Sequence, residues 1–138
     1  MKTITKVFFL TTMLFASNFA KAQNRDNEKM EVKKVIKTYL TVTDLKDSTA
    51  ILKAFHPDAK LMSVNSKGEL KQMSQTEWWQ RISKIVNPVV RKSKIKVLDI
   101  SGISAIVRVE FEKSNDLITL LKFNNEWKIV NKTLSVVL

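Results

Sequence analysis

Apolar side chains recur at every third or fourth position of residues 32–40, which is the spacing of one helical face. They are Val32, Val35, Ile36, Tyr39 and Leu40. Lysines 33, 34 and 37 fall on the opposite side, toward water. The pattern predicts an amphipathic helix that packs its apolar face against the rest of the fold.

A second, shorter helix is predicted after Asp47 and Ser48, two residue types that favour a helix N-cap. Its apolar positions are Ile51, Leu52 and Phe55. Pro57 disfavours helical geometry at His56, so we expect this helix to end at a corner formed by these two residues.

Residues 74–77 have the sequence of a capping box, in which Ser74 and Glu77 each bond the backbone amide of the other. A third helix should begin here and end before Pro88. Its predicted apolar stripe is Trp78, Ile82, Ile85 and Val86, with Trp79 beside it. Two extended segments, 60–65 and 69–73, precede it and are joined by a turn at 66–68.

The remaining chain alternates apolar and polar positions, as strands do. We predict strands over 95–100, 105–112, 117–123 and 127–138, with turns at 101–102, 114–116 and 124–125. Helices followed by antiparallel strands indicate an α+β fold. A strongly twisted sheet of this length can curl against the first helix.

The first 22 residues have the pattern of a secretory signal peptide. Lys2 and Lys6 precede an apolar run of about ten residues, which is too short for a membrane-spanning helix. The small residues Ala20 and Ala22 match a cleavage site. We therefore expect cleavage after Ala22, a periplasmic or secreted protein without a membrane span, and a single domain over 23–138.

The composition of the chain limits the partners, metals and cofactors that we expect. The formal net charge is +11 over 138 residues, and loss of the three lysines of the leader lowers it to +8. Such a charge favours anionic partners, although the lysines are spread along the chain as on an ordinary solvated surface. With one histidine, two glycines and no cysteine, no familiar zinc, haem or phosphate-loop pattern is present. We therefore expect no metal, no cofactor and no nucleic-acid partner.

Several short stretches, taken in order, resemble the nuclear transport factor 2-like superfamily. They are Tyr39 and Leu40, FHPDA at 55–59, MSQTEW at 73–78 and LKFNNEWKIV at 121–130. Within the superfamily, the chain is most similar to small bacterial proteins called putative lumazine-binding or polyketide-cyclase-like. The resemblance implies a cone-shaped barrel, in which a curved antiparallel sheet wraps around three helices and encloses an apolar pocket. It leaves activity open, because members include enzymes, ligand-binding modules and dimerising modules.

His56 and Asp99 are the candidate acid–base residues. Histidine is the usual side chain for acid–base chemistry near neutral pH, and Asp58 could orient His56, but both side chains could equally stabilise the corner. Asp99 shares strand parity with Ile95 and Val97, so it would face a cavity if they do. Its pKa would then be raised, as for the acid of ketosteroid isomerase, although a place beside the turn at 101–102 is the plainer interpretation.

Aromatic and apolar side chains are the candidate ligand contacts. The expected pocket lining is Tyr39, Phe55, Trp78, Val107, Val109 and Trp127. These rings could stack a flat ligand or simply form the core, and the Tyr39 hydroxyl needs a partner if it is buried. Trp78 and Trp79 lie about 100° apart on a helix, so one of them should reach a rim or an interface.

Lys92, Lys94 and Lys96 line one face of a predicted strand, with Arg108 on its neighbour. They could bind an anionic surface or protect an exposed sheet against aggregation.

Three functions fit these observations. The first is an exported domain that binds a small apolar or aromatic molecule. The second is a cofactor-independent isomerase, cyclase or dehydratase that uses a pocket Asp or His. The third is an interaction module of the cell envelope that forms a homodimer through its sheet.

Overall fold

The computed structural model describes residues 23–41, 43, 48–85 and 91–136. The chain divides into two units, residues 1–30 and 31–138, and the described part of the first, residues 23–30, is helical. The signal peptide and its cleavage site fall on residues 1–22, outside the described residues, so they stay predictions. None of the helices in the described ranges is long and apolar enough to cross a membrane.

The described residues of the second unit form three helices and six strands. Helix α1 covers residues 31–41, α2 covers Ser48–Ala54 and α3 covers Gln75–Ile82. The strands are β1 (Phe55–Val64), β2 (Leu70–Ser74), β3 (Lys94–Ser101), β4 (Ser104–Glu110), β5 (Ser114–Phe123) and β6 (Glu126–Val136). This order of elements confirms the predicted α+β class.

The six strands form one sheet in the order β2-β1-β6-β5-β4-β3. The sheet has the cone-like curvature that the resemblance implies, and it is open, with β2 and β3 at its edges, and not closed into a barrel. The sheet is also not wholly antiparallel, because β1 runs parallel to β6. The long connection between these two strands, which contains the rest of the sheet, allows the parallel pairing.

Helix α1 packs its predicted apolar face against the main core. Val32, Ile36 and Tyr39 are buried, while Val35 and Leu40 are partly buried against the same core. The opposing sheet face, called the inner face, carries alternate buried residues of β4 and β5 and of the first half of β6. These are Ala105, Val107, Val109, Asp116, Ile118, Leu120, Trp127 and Ile129.

The corner at His56 and Pro57 lies inside a strand and not, as predicted, at the end of a helix. Helix α2 ends at Ala54, and β1 begins directly at Phe55. The pairing of β1 with β6 shifts register between Phe55 and Lys60. Pro57 cannot donate a ladder hydrogen bond, which explains why the strand is irregular there.

The predicted turn at 114–116 is wrong. Residues 112–113 make the reversal, and the Phe111 amide donates to the Ser114 carbonyl across it at 2.8 Å. Ser114, Asn115 and Asp116 therefore belong to β5. Short polar residues favour turns in general, but here the pairing of β4 with β5 extends through them.

Helix α3 begins as predicted and ends earlier. The Glu77 amide donates to Ser74 Oγ at 3.2 Å, and the Ser74 amide donates to Glu77 Oε2 at 2.7 Å. The helix stops at Ile82, and Ile85 is exposed, so it does not continue the apolar stripe. Val86 and Pro88 lie outside the described residues.

Replacing Ser74 with Ala removes the cap of α3 and should lower the free energy of unfolding by about 1 kcal/mol. Chemical denaturation of the variant measures the loss. Thr76→Ala, two positions away at the start of the same helix, is the matched control and should not destabilise the domain. Equal stability of the two variants would show that the capping box contributes nothing.

Candidate functional site

A carboxylate lies in the apolar interior of the fold. Asp116 is 1% exposed and follows the inward parity of Ile118 and Leu120 on β5. The Tyr39 hydroxyl donates to Asp116 Oδ2 at 2.6 Å, and Lys132 Nζ donates to Asp116 Oδ1 at 3.1 Å. We call these three residues the Tyr39–Asp116–Lys132 network.

Strand pairing explains how β5 and β6 bring the charged pair together. Lys132 lies opposite Ile118, two positions from Asp116, so the two side chains are diagonal neighbours on the same face. Val130 is an extra residue in β6 and forms a bulge. Before the bulge Trp127 and Ile129 face inward, and after it Lys132 does. Helix α1 then lays Tyr39 over the pair, with the Lys132 ammonium 5.8 Å from the centre of its ring.

The environment of Tyr39 strongly disfavours its ionised form. Burial raises the pKa of the Tyr39 hydroxyl well above its usual value, and the charge and hydrogen bond of Asp116 raise it further. Arg91 lowers this pKa through its own charge and a hydrogen bond, but by less than burial and Asp116 raise it. The hydroxyl is therefore a stable neutral donor placed between a buried carboxylate and a guanidinium.

Arg91 approaches this network from the exposed side. Its guanidinium lies 4.3 Å from the centre of the Phe111 ring and donates to Thr43 Oγ1 at 3.4 Å. These contacts hold an exposed cation beside the Tyr39 hydroxyl. This arrangement gives the buried network a polar neighbour that solvent can reach.

Three aromatic rings form one cluster that includes the same tyrosine. The centre of the Tyr39 ring is 5.7 Å from that of Phe55, edge to face, and 5.8 Å from that of Trp78. The Phe55 and Trp78 ring centres are 5.5 Å apart. Trp78 is only half-buried, so this aromatic cluster reaches the surface on one side.

The six residues expected to line a pocket all join the main core. Tyr39, Phe55, Val107, Val109 and Trp127 are buried within it, and Trp78 packs against it. Trp79 contacts a separate small cluster formed by Ala50 and Ile51. Trp78 packs against that cluster as well as against the main core, so the expected rim or interface position of one tryptophan stays a prediction, as does the role of the six residues in ligand binding.

His56 lies away from this network, in a surface pocket at the junction of α2, β1 and the turn between β5 and β6. The pocket, called the hairpin pocket, has a volume of about 450 Å³. Its apolar lining is Leu52, Phe55, Pro57 and Phe123, and its polar lining is His56, Asn124, Glu126 and Lys128. The His56 ring stacks on Phe123 with centres 4.6 Å apart.

Asp58 contacts His56 mainly through its backbone. The Asp58 amide donates to His56 Nδ1 at 3.2 Å, while the carboxylate Oδ2 is 3.7 Å from the same nitrogen. Because the Asp58 side chain is 91% exposed, its charge is largely screened by water. The pair therefore resembles a turn contact more than a catalytic dyad.

The inward position considered for Asp99 is not found, and its side chain is exposed, as the plainer interpretation of a place beside the turn at 101–102 has it. The pairing of β3 with β4 has one extra residue, Leu98, between Val97 and Asp99. This bulge reverses the parity, so Ile100 packs against the core and Asp99 is exposed opposite Ile106. Three strands of the sheet also separate Asp99 from His56, so the two candidate acid–base groups do not converge.

The lysines of β3 are surface residues. Lys96 Nζ is 2.6 Å from Glu110 Oε1 across the strand pair, and this hydrogen bond lowers the pKa of the Glu110 carboxyl. Lys92, Lys94 and Arg108 are exposed. In the described ranges no three His, Cys, Asp or Glu side chains gather as metal ligands would.

Sequence reasoning misses Asp116 and Lys132. It places Asp116 in a turn, although the alternation of this residue with Ile118 and Leu120 is visible in the sequence. Lys132 gives no such signal, because only the bulge in β6 turns it inward.

Comparison with protein families agrees with this architecture. Residues 27–135 match the family described as putative lumazine-binding. The chain belongs to this family. The match covers most of the chain, including the residues of the α+β cone and of the network inside it.

Solved structures share the fold of this family member, among them two of nuclear transport factor 2-like proteins. A protein of unknown function from Shewanella baltica OS155 is 22% identical, with a TM-score of 0.71 over 81% of this chain and 95% of that chain. One from Methylobacillus flagellatus KT is 24% identical, with a TM-score of 0.71 over 81% and 94%. A putative aromatic ring hydroxylase from Novosphingobium aromaticivorans DSM is 12% identical, with a TM-score of 0.65 over 81% and 90%. No curated protein matches the chain.

Asp116→Asn should destabilise the domain strongly, by about 3–5 kcal/mol, because it leaves the Lys132 ammonium buried without a countercharge. Chemical denaturation measures this free energy of unfolding. Glu110→Gln, which breaks the exposed pair with Lys96, is the control and should have a much smaller effect.

The triple variant Tyr39→Phe, Asp116→Leu, Lys132→Met replaces the whole network with apolar side chains. It should recover most of the stability lost in Asp116→Asn, since apolar packing can substitute for a buried ion pair. A triple variant as unstable as Asp116→Asn would mean that the network is needed for folding itself.

Proposed function

We propose that this protein is an exported domain that binds a small, flat molecule at the Tyr39–Asp116–Lys132 network. The observation that carries the proposal is the burial of a carboxylate and an ammonium in an otherwise apolar interior. Apolar residues of similar volume commonly stabilise a fold as well as a buried ion pair does. A few convergent polar groups beside an apolar wall are typical of ligand sites.

The arrangement of donors supports a ligand with an oxygen acceptor. The Asp116 carboxylate fixes the direction of the Tyr39 hydroxyl, and Arg91 supplies guanidinium donors next to it. A carbonyl or anionic oxygen of the ligand could accept from Arg91 on the exposed side. The rings of Phe55 and Trp78 could then contact a flat aromatic body.

The family description is consistent with such a ligand. A lumazine is a flat heteroaromatic ring with carbonyl oxygens, so it serves as a probe of this chemistry. Trp78 is half-buried and Arg91 is exposed, which suggests that a ligand enters between them.

The enzyme alternative has weaker support. Asp116 already binds two protein partners, and His56 lies in a different pocket. Since Asp99 faces outward, no acid–base pair is left beside the aromatic cluster among the residues predicted to be catalytic.

A dimerising module is the second candidate, and the outer face of the sheet favours it. Ile106 and Leu117 are 40% and 43% exposed and are diagonal neighbours on β4 and β5. An apolar pair on an open sheet face is a feature that a second copy could cover.

Lumazine titration, followed by tryptophan fluorescence, tests the ligand site. We expect Arg91→Gln to weaken binding about tenfold, because it removes the exposed donor beside Tyr39. Arg108→Gln, on the outer face of β4, removes the same charge and should bind as the wild type does.

Native mass spectrometry of the mature protein purified from its own host complements the titration. A small molecule bound to the wild type and lost in Arg91→Gln supports the proposal. A ligand-free dimer, together with no response to lumazine, would overturn it in favour of the dimerising module.

Export is the other part of the proposal, and intact mass tests it. The protein recovered from the periplasm or medium should begin at Gln23. Ala22→Leu should slow this processing because signal cleavage requires a small residue there, whereas Ala16→Leu in the apolar run should not. An unprocessed chain retained in the cytoplasm would contradict export.

A further inference from the structure

We propose that the hairpin pocket is a second binding site and that its ligand is a small aromatic carboxylate. The pocket shares the Phe55 ring with the aromatic cluster, but its charged end lies away from the interior network, because Phe123 and Asp116 are seven residues apart along β5, or about 23 Å. The inference therefore stands independently of the interior ligand.

The apolar half of the pocket suits a planar ring. Leu52 at the end of α2 and Phe123 at the end of β5 are 65% and 37% exposed, so both present apolar surface to the opening. The His56 ring stacks on Phe123 at an interplanar angle of 25°, so the two stacked rings form an aromatic wall of the pocket. A ligand ring between this wall and Leu52 would bury surface from both sides.

The pocket is held in shape by its turn and by one cross-element bond. Asn124 and Asn125 have φ values of 47° and 69°, and Phe123 pairs with Glu126 across them, as in a two-residue type I′ turn. Lys128 Nζ donates to the Lys53 carbonyl at 3.0 Å and so ties β6 to the last turn of α2. A pre-formed site loses little conformational entropy when a ligand binds.

The positive charge of Lys128 favours a ligand that carries a carboxylate. Its side chain is only 22% exposed, and its ammonium pairs with Glu126 Oε2 at 3.3 Å. The Glu126 side chain is 71% exposed, so this ion pair is weak and a ligand carboxylate can replace it. An ammonium has three N–H donors, so Lys128 can keep its bond to the Lys53 carbonyl while it binds the acid.

The size of the pocket limits the ligand to one or two rings. About 450 Å³ lies in the lower half of the range of small-molecule sites. The positive net charge of the chain also raises the local concentration of anions. Naphthalene-2-carboxylate therefore has a suitable ring, charge and volume as a probe.

Calorimetric titration with naphthalene-2-carboxylate tests the site through two variants that should change its affinity in opposite directions. Lys128→Met should weaken binding about tenfold, and Glu126→Gln should strengthen it a few-fold because the competing carboxylate is gone. The matched controls are Lys71→Met and Glu69→Gln, which alter an exposed pair of 3.1 Å outside the pocket. These controls should stay within about twofold of the wild type.

Two further comparisons separate binding in the hairpin pocket from binding elsewhere on the protein. Phe123→Ala, at a partly exposed position, should also weaken binding, and it replaces Lys128→Met as the test if that variant unfolds. The neutral amide of the same acid should bind more weakly and should not respond to Lys128→Met. Arg91→Gln should leave binding of the acid unchanged.

The proposal is wrong if the acid does not bind at millimolar concentration, or if Lys128→Met and Lys71→Met weaken it equally. It is also wrong if Arg91→Gln abolishes binding while Lys128→Met does not, because the acid would then occupy the interior site. Failure of lumazine binding at the network would leave the result for the hairpin pocket unaffected.

Discussion

The buried ion pair between Asp116 and Lys132 is the constraint on which the interior of this domain depends. A charge in an apolar core is tolerated only when its partner and hydrogen bonds are in place. The pair requires β5 and β6 in one register, and its third contact requires α1 to lay Tyr39 across them. The position of α1, the register of β5 with β6 and the burial of the ion pair therefore depend on one another.

The β5–β6 hairpin places both proposed sites. Its turn end carries Phe123 and Lys128 of the hairpin pocket, and its far end carries Asp116 and Lys132. The bulge at Val130 lies between them and reverses which side chains of β6 face inward. One hairpin can thus contribute side chains to an aromatic surface pocket at its turn end and to a buried polar network at its far end.

Local signals in the sequence predict much of the architecture. The spacing of Val32, Ile36 and Tyr39 predicts the buried face of α1, and Ser74 with Glu77 predicts the start of α3. These predictions are confirmed because capping and helical periodicity depend on residues within one or two turns. The site is harder to predict: the sequence indicates that a buried Tyr39 needs a partner, but it does not identify that partner.

The sequence by itself determined the α+β class, the family resemblance and the aromatic core, because each follows from local pattern. Only the tertiary structure decided that Lys132 faces inward and that Asp99 faces outward. The physical reason is that a strand bulge adds one unpaired residue and reverses side-chain parity beyond it. Where such a bulge falls depends on the neighbouring strand, whose pairing partners are set by the whole sheet and not by the local sequence.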